Sequence, residues 1–389
     1  MLRYPFSFPK ISGRLIRRLN RFVVEAEVNG KLEKAYLANP GRLWELLLPG
    51  TNLLLSPALS RGKLPYTVLA CEKEGHPVLL HTHLTNRVIH SLIDEGRIPP
   101  YKGYRIVKSE PACGRHRFDL LLQHQDKGSL CYLEIKSVTL FESLTAAFPD
   151  AVTKRGAEHL YLLKELTSRG LETSCLFVIM NPGIKYFIPA HHVDFNFARA
   201  LLDVKESVQL HALALGFDDS FTGVTSLKTA SIPYTFIEEE LHDRGMYLLL
   251  IYMNERKEVT LQNGENVEFK EGCYVYRGAS LDNLNKEINR HKKKRKKKRR
   301  PIDYLTAAAD EITAIPIITG ESLGHELDTE LKSISYQPVE GFDSQDSRES
   351  SILLYFATNP LHDRHFIDLI LHYRLVRPEQ KFAGQHYLF

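Results

Sequence analysis

Apolar and polar positions alternate through residues 14–56, with Phe22, Val24, Ala26 and Val28 on one side of an Asn29-Gly30 pair and Leu32, Ala35 and Leu37 on the other. A period of two marks strands with one covered face, and Asn-Gly between two such runs is a strong hairpin signal. Asn39-Pro40-Gly41-Arg42-Leu43 interrupts the pattern with turn-forming residues, and short strand-like runs at Thr51–Leu55 and Val78–His81 carry it to about residue 84. Some five short strands in this span fit a small closed barrel.

From Thr85 the period changes. Thr85 is expected to cap a helix running to about Glu95, followed by β-rich runs at Tyr104–Ser109, Arg117–Gln123 and Leu130–Val138. Asp150 is the expected N-cap of a second helix, whose Val152, Leu160, Leu163 and Leu166 recur at helical spacing and which Gly170 should stop. Ser174–Met180 reads as a buried strand closed by Asn181-Pro182-Gly183, and Asp194–Lys205 as a covering helix. Around residues 216–244 the text becomes linker-like. A further module begins at Gly245 with an apolar strand (Met246–Met253), a turn at Asn263-Gly264, a strand (Gly272–Gly278) and a helix (Leu281–His291). The expected architecture is α+β and multidomain: a small β-barrel domain over 1–84, a mixed α/β core over 85–228, a linker over 229–244 and an α+β domain over 245–389.

Composition alters this picture mainly through charge. The 389 residues hold 51 basic and 47 acidic side chains, but Arg290 to Arg300 contributes 10 basic residues with no acid, which leaves the remainder at net −6. One dense cationic run on a mildly acidic body points to a polyanionic partner at that place. The five cysteines lie at least 18 residues apart and form no C-x-x-C pair, so neither a disulfide framework nor a cysteine zinc site is indicated. No apolar run approaches the roughly 20 residues that span a bilayer, and no signal-like apolar segment opens the chain. A cytoplasmic protein without a membrane partner is expected.

The candidate chemistry centres on Asp119, Glu134 and Lys136. The pattern Glu-x-Lys recurs five times and is uninformative alone, but here a polar turn (His124–Ser129) separates two strands, and a symmetric hairpin about it pairs Gln123 with Leu130 and Asp119 with Glu134. Two opposed carboxylates repel unless a cation lies between them, an arrangement suited to Mg²⁺ or Mn²⁺. Lys136, two residues on, shares the face of Glu134, where an ammonium can align a water or offset charge developing on a phosphate. The bland alternative is a solvated strand face carrying a Glu/Lys ladder.

Wider wording separates the two. R-F-D at Arg117–Asp119, L-E-I-K-S-V-T-L at Leu133–Leu140 and F-P-D-A-V-T-K-R-G-A-E-H-L at Phe148–Leu160, together with N-P-G-R-L at Asn39–Leu43 and Thr85-Asn86-Arg87, resemble the sugar fermentation stimulation protein A family over residues 10–225. The resemblance implies an N-terminal OB-like domain and a PD-(D/E)xK nuclease core. Residue by residue it implies metal binding by Asp119 and Glu134, a catalytic Lys136, and supporting roles for Glu110, Arg117, Thr153, Arg155 and His159. An exposed i,i+4 pair accounts for Arg155 and His159 without an active site.

In the last module Gly245-Met246-Tyr247 and Tyr276-Arg277-Gly278 resemble the two signatures of GIY-YIG nuclease domains, supported by Arg290-His291 and Ile302-Asp303-Tyr304. That resemblance implies roles for Tyr247, Tyr276, Arg290, His291 and a metal-binding Glu321, but Glu287 stands four residues before His291, where the family's arginine is expected. A carboxylate there replaces a phosphate donor with repulsion. Two sheet tyrosines remain the alternative for Tyr247 and Tyr276. The nine basic residues Lys292, Lys293, Lys294, Arg295, Lys296, Lys297, Lys298, Arg299 and Arg300, with Arg42 and Arg87 of the first half, are the expected nucleic-acid contacts. The sequence therefore points to a DNA-binding, Mg²⁺-dependent nuclease-like protein, with a non-catalytic regulatory protein on the same scaffold as the rival and an RNA-directed enzyme as a third reading.

Overall fold

The structure is a computed structural model and describes residues 9–58, 64–334, 337–339 and 352–384. Two compact units emerge: one is formed by the chain up to Glu238 together with the segment from Leu375 onward, the other by Glu239–Arg374. Among the described residues no helix is long and apolar enough to cross a membrane.

The first unit opens with five strands, Ile11–Asn20, Val23–Val28, Lys31–Leu37, Asn52–Pro57 and Tyr66–Lys73. Antiparallel neighbours run in the order Lys31–Leu37, Val23–Val28, Ile11–Asn20, Asn52–Pro57, Tyr66–Lys73, and a parallel pairing of Ala35–Leu37 with Tyr66–Val68 closes them into an OB-like barrel. Asn29 and Gly30 form the two-residue turn between Val28 and Lys31, both with positive φ (51° and 74°), as the hairpin signal requires. Leu15, Val24, Ala26, Leu37, Leu55 and Val68 fill the interior. The strand Tyr66–Lys73 escapes the periodicity because five consecutive residues, Thr67–Cys71, are buried, which erases the alternation.

The adjoining core is a six-stranded sheet in the order Val224–Ala230, Gln209–Phe217, Glu172–Ile179, Leu130–Val138, Leu120–His124, Tyr104–Ser109. Its central strand, Leu130–Val138, is parallel to Glu172–Ile179 and antiparallel to Leu120–His124, with Leu120 opposite Leu133 and Gln123 opposite Leu130 as the hairpin symmetry required. Three expectations change. The first helix is Thr82–Asp94, starting after His81, so that Thr85 lies inside it, buried, with its hydroxyl donating to Ser137 Oγ at 3.3 Å. The second helix is Lys154–Ser168 and is capped by Thr153, whose Oγ1 accepts from Gly156 N at 3.0 Å, because Asp150 is engaged elsewhere. Within the stretch expected as linker, Val224–Ala230 forms the sheet edge and Tyr234–Glu240 a helix. The helix Phe195–Val204 starts at Asp194, whose Oδ1 accepts from Phe197 N at 3.0 Å and whose Oδ2 accepts from Thr153 N at 2.8 Å, so one carboxylate orients two helix starts.

A small sheet, Leu140–Glu142, Thr145–Phe148 and Tyr186–Pro189, carries the chain from the central strand toward Asp150. Its tight turn is held by Glu379 of the helix Arg377–Gly384, which accepts from Ser143 Oγ (3.0 Å), Leu144 N (2.9 Å) and Thr145 Oγ1 (2.9 Å). Phe382 of the same helix is fully buried against Tyr186 and Phe236.

The second unit is built on an antiparallel sheet in the order Glu311–Ile318, Gly245–Met253, Gly272–Ser280, Ile352–Phe356, Gln337–Pro338. Asn263-Gly264 lies in the turn of a separate hairpin, Lys257–Thr260 with Asn266–Phe269. The helix begins at Leu284 rather than Leu281, because Asn283 adopts a left-handed conformation and Asp243 Oδ1 accepts from Asn285 N at 3.0 Å. The basic run folds between this helix, Leu284–Lys292, and the next, Pro301–Ala308.

Replacing Glu379 by Ala strands three donors, of which Leu144 N–H and Thr145 Oγ1 lie deepest, and should destabilise the first unit by about 2 to 4 kcal/mol in urea unfolding. A change under about 0.5 kcal/mol, the scale of a neutral surface substitution, would show that the turn holds without it.

Candidate active site

The ladder between Leu120–His124 and Leu130–Val138 ends at the Leu120–Leu133 pair. Asp119, one residue beyond, continues it differently: its N–H donates to Leu133 O at 3.2 Å, and its Oδ2 accepts from Ile135 N at 2.7 Å. Its Oδ1 accepts from Asn86 Nδ2 at 2.6 Å, on the first turn and a half of the helix Thr82–Asp94. Asp119 is thus brought to Glu134's end of the hairpin, but its carboxylate caps a main-chain donor instead of lying flat across from Glu134. Glu134 and Lys136 share a strand face, with Lys136 Nζ donating to Glu134 Oε1 at 2.6 Å. His159, buried on the helix Lys154–Ser168, reaches the same oxygen through Nδ1 at 2.6 Å. Arg155 Nε donates to His159 Nε2 at 3.1 Å, which leaves Nδ1 as the nitrogen that donates to Glu134. His159 is therefore no exposed partner of Arg155 but a link between helix and sheet.

Burial, then the neighbouring Glu134 charge, pushes the Asp119 carboxyl up to about 6. Burial also presses on Glu134, yet Lys136 and His159 outweigh it and hold that carboxyl below its ordinary value. The Lys136 ammonium, disfavoured by burial, is held above its ordinary value chiefly by Glu134. Two acids with opposite shifts in one site mean that Glu134 stays ionised while Asp119 is poised to take a proton or a cation.

Asp119, Ile135, Lys136 and Ser137 line a cavity of about 420 Å³. Arg21, Asn39, Pro40 and Gly41 of the barrel form one wall, Thr82, His83 and Asn86 another, and Phe148–Thr153 a third. The barrel wall is set by Asp150, whose Oδ2 accepts from Leu43 N at 2.8 Å. A Cβ on Gly41 would meet that Oδ2 at 2.5 Å, so only glycine allows the approach. Asn39, nearly fully buried, braces the turn by donating to Leu80 O at 3.1 Å and accepting from Gly41 N at 2.9 Å.

The other residues singled out by sequence fall in two groups. Glu110 lines the cavity and its main-chain N–H donates to Asp119 O at 2.9 Å, while its exposed carboxylate pairs with exposed Arg117 at 3.5 Å. Thr153 also lines the cavity as a helix cap. Arg87 is exposed on the first helix. Arg42 is partly buried, with its guanidinium over the Trp44 ring at 4.8 Å and its carbonyl accepting from Arg18 Nη1 at 2.5 Å. Asn86 and Asp150 were not found by sequence reasoning as site residues. Asn86 sits inside a quoted motif, but nothing local ties it to Asp119, 33 residues on.

In the second unit Tyr247, fully buried, meets His291 Nε2 at 3.0 Å, and the Tyr276 and His291 rings lie 6.1 Å apart. Burial above all raises the Tyr247 hydroxyl far above its ordinary range and lowers His291. Glu287, at the position expected for arginine, instead collects cations: Arg290 donates twice at 3.0 Å, and Arg300 donates from the basic loop. Glu321 is exposed beyond the strand Glu311–Ile318, with its N–H bonded to Thr319 Oγ1 at 3.1 Å. Much of the basic run is tied to the fold: Lys296 Nζ donates to His291 O and Thr306 Oγ1, both at 2.6 Å, and Lys298 lies 4.7 Å over the Tyr304 ring.

A closed five-stranded OB-like barrel joined to a mixed sheet whose central strand bears Glu134 and Lys136 beside Asp119 is an α+β multidomain architecture. The barrel matches the SfsA N-terminal OB domain over residues 16–80, the core the Sugar fermentation stimulation protein RE domain over 83–221, and the last part a domain of unknown function, DUF123, which is GIY-YIG-like, over 246–374. The chain is 39% identical over 199 residues to a sugar fermentation stimulation protein homolog of Pyrobaculum arsenaticum, spanning 51% of this chain and 84% of the relative. It is 37% identical over 211 residues to the homolog of Moorella thermoacetica, spanning 54% and 90%. The solved Pyrococcus furiosus SfsA in complex with Ca²⁺ superposes with a TM-score of 0.55 at 29% identity, covering 60% of this chain and 99% of that one. The chain belongs to the sugar fermentation stimulation protein family, extended by the DUF123 domain.

Because the folded Asp119 carboxyl titrates near 6 and an unfolded one near 4, the fold loses stability as pH rises between them, on the order of 2 to 3 kcal/mol when complete. The stability difference between Asp119→Asn and the metal-free wild type should therefore shift in favour of the variant by that amount from pH 4 to pH 8. Melting curves at both pH values check this, and an unchanged difference would remove the raised carboxyl.

Proposed function

We propose that the chain is a Mg²⁺- or Mn²⁺-dependent nuclease acting on DNA, with the reacting groups in the first unit and nucleic-acid contacts supplied by the first unit's barrel and by the second unit's basic loop. The carrying observation is that Asp119 and Lys136 line one cavity walled by both barrel and core, with Glu134 bonded directly to Lys136. The donors fit a hard cation. Asp119 offers a carboxylate with a raised pKa, Glu134 an ionised one, and the Ile135 main chain presents its carbonyl on the strand edge where its N–H already meets Asp119. Among the described residues no group of three His, Cys, Asp or Glu forms a cage. Mg²⁺ suits such a site, since it keeps several waters and takes only one or two carboxylates. The Ca²⁺ of the Pyrococcus furiosus relative is consistent with an oxygen-ligand cation in this family.

When bound, the ion would polarise a phosphoryl oxygen and lower the pKa of a water. The protein's own part is positional. Asn86 and Ile135 N–H fix the Asp119 carboxylate, His159 fixes Glu134, and Glu134 holds Lys136 charged and pointed beside the cavity, where its ammonium offsets charge on the phosphate. One observation favours the regulatory reading: Glu134 Oε1 is already engaged by two side chains and Glu134 is not among the residues lining the cavity.

Asp119→Ala and Glu134→Ala should abolish metal-dependent hydrolysis while salt-dependent binding persists, and Lys136→Ala should retain metal but lose about 10² to 10³ in rate. Calorimetry with Mg²⁺ or Mn²⁺ alongside cleavage of labelled DNA and RNA, single- and double-stranded, reads all three. A wild type that neither binds metal nor cleaves would leave the regulatory reading. Neutralising the run 292–300 should flatten log affinity against log salt by roughly 0.7 to 0.9 per lost phosphate contact.

A further inference from the structure

The second unit contains an anion site whose anion is part of the protein. The Glu287 carboxylate receives Arg290 Nε on Oε2 and Arg290 Nη2 on Oε1, each at 3.0 Å, then Arg300 Nη2 on Oε1, with His291 Nε2 3.3 Å from that oxygen. A guanidinium fork donating two parallel bonds is the geometry that carboxylate and phosphate share. The same groups hold the Glu287 carboxyl far below its ordinary range.

The surrounding charge exceeds what one carboxylate needs. Glu287, Arg290, Lys296, Lys297, Arg299 and Arg300 line a cavity of about 480 Å³. Fully buried Asp303 takes part of the excess: its Oδ1 accepts from Arg290 Nη1 at 2.7 Å, and its Oδ2 accepts from the main-chain N–H groups of Arg299 and Arg300 at 3.0 and 3.2 Å. Five cations then face two carboxylates. Asp303 also fixes the loop by its backbone, so the surplus is displayed on a preformed surface and not on a loose tail. Glu287 itself is about a quarter exposed and sits one helical turn from both Arg290 and His291, so rotation of its side chain releases the fork without unwinding the helix.

We propose that Glu287 is a resident stand-in for a phosphate of the nucleic-acid backbone, displaced when a strand engages the loop. The inference rests on the reading of the run 292–300 as a nucleic-acid contact and adds to it a gate. A single small anion gains only the fork and must replace a carboxylate already seated there. A strand gains the fork together with Lys297 and Arg299, whose side chains are exposed, and so displaces it. This arrangement places Arg300, across the basic loop, beside the helix position from which the expected arginine is missing.

Binding of a fluorescein-labelled 20-residue DNA oligonucleotide to the full chain, followed by anisotropy across a KCl series, decides the matter. E287Q should bind about 3- to 10-fold more tightly, with a salt slope steeper by roughly 0.7 to 0.9, the increment of one additional phosphate contact. R300Q should weaken binding and flatten the slope by a similar step, and adding E287Q to R300Q should still tighten binding, by less than E287Q does in the wild type, because only the Arg290 fork is left to uncover. Tripolyphosphate should compete with DNA at lower concentration on E287Q than on the wild type, which separates the fork itself from the extended loop. If E287Q matches the wild type in affinity and slope while K297Q and R300Q still flatten it, the gate is wrong and the nucleic-acid contact stands. If K297Q, R299Q and R300Q all leave the slope unchanged, the contact itself is wrong. Should E287Q melt below the wild type, E287D draws the carboxylate back from the fork while keeping the charge: tighter DNA binding and stronger tripolyphosphate competition on E287D support the gate, and affinity and competition equal to the wild type overturn it.

Discussion

The main-chain N–H of Ile135 lies just past the last rung of an antiparallel ladder, and a buried donor without an acceptor is expensive. Asp119 satisfies it with a carboxylate rather than a carbonyl, and much of the site follows from that substitution. The acid is drawn to the edge of the strand carrying Glu134 and Lys136, needs Asn86 for its other oxygen, and so ties the helix Thr82–Asp94 to the hairpin. Its charge is uncomfortable there, which raises its pKa and leaves it receptive to a cation. Alternation along Leu130–Val138 sends Glu134 toward His159 on one helix and Ser137 toward Thr85 on another, so the strand is clamped from both faces at the point where chemistry is placed.

A second constraint joins the barrel to that clamp. Asp150 accepts from Leu43 N–H and lies so close to Gly41 that the Asn39–Gly41 turn becomes a wall of the cavity. The turn contributes position, not only exposed charge: Arg42 itself is partly buried over Trp44, while Arg21 from the neighbouring hairpin reaches the cavity. The segment Leu140–Phe148 that delivers Asp150 is in turn steadied by Glu379, far along the chain, so the geometry of the wall depends on a helix with no chemistry of its own.

The second unit arranges charge differently. There the cations come first, in one unbroken stretch, and the fold distributes them: Asp303 anchors the backbone, Thr306 and His291 O hold Lys296, and Glu287 draws Arg290 and Arg300 together. A run that looks in one dimension like a solvated tail becomes a patterned surface because two buried or half-buried carboxylates decide which cations turn inward.

Local pattern was enough for the barrel's Asn29-Gly30 hairpin, for the register of Leu120–His124 against Leu130–Val138, and for the shared face of Glu134 and Lys136, since turn chemistry and a period of two act over a few residues. Motif wording added the family and the order of its parts. What the linear text could not contain were partners separated by long stretches of chain. Asp150 reads as a helix cap because a short acid before an apolar period usually is one, and only the approach of Leu43 takes that role away. Thr85 reads as a cap for the same reason and is instead a buried helix residue meeting Ser137. Asn86 on Asp119 and Asp194 on Thr153 N are hydrogen-bond pairings between segments more than 30 residues apart, and Arg300 meets Glu287 across the basic loop. Sequence by itself determined the Asn29-Gly30 hairpin, the hairpin about His124–Ser129 and which acids and lysines are available, because those depend on backbone preference and side-chain alternation. Tertiary structure decided which of them meet, because a buried polar group must find its partner wherever packing has brought one.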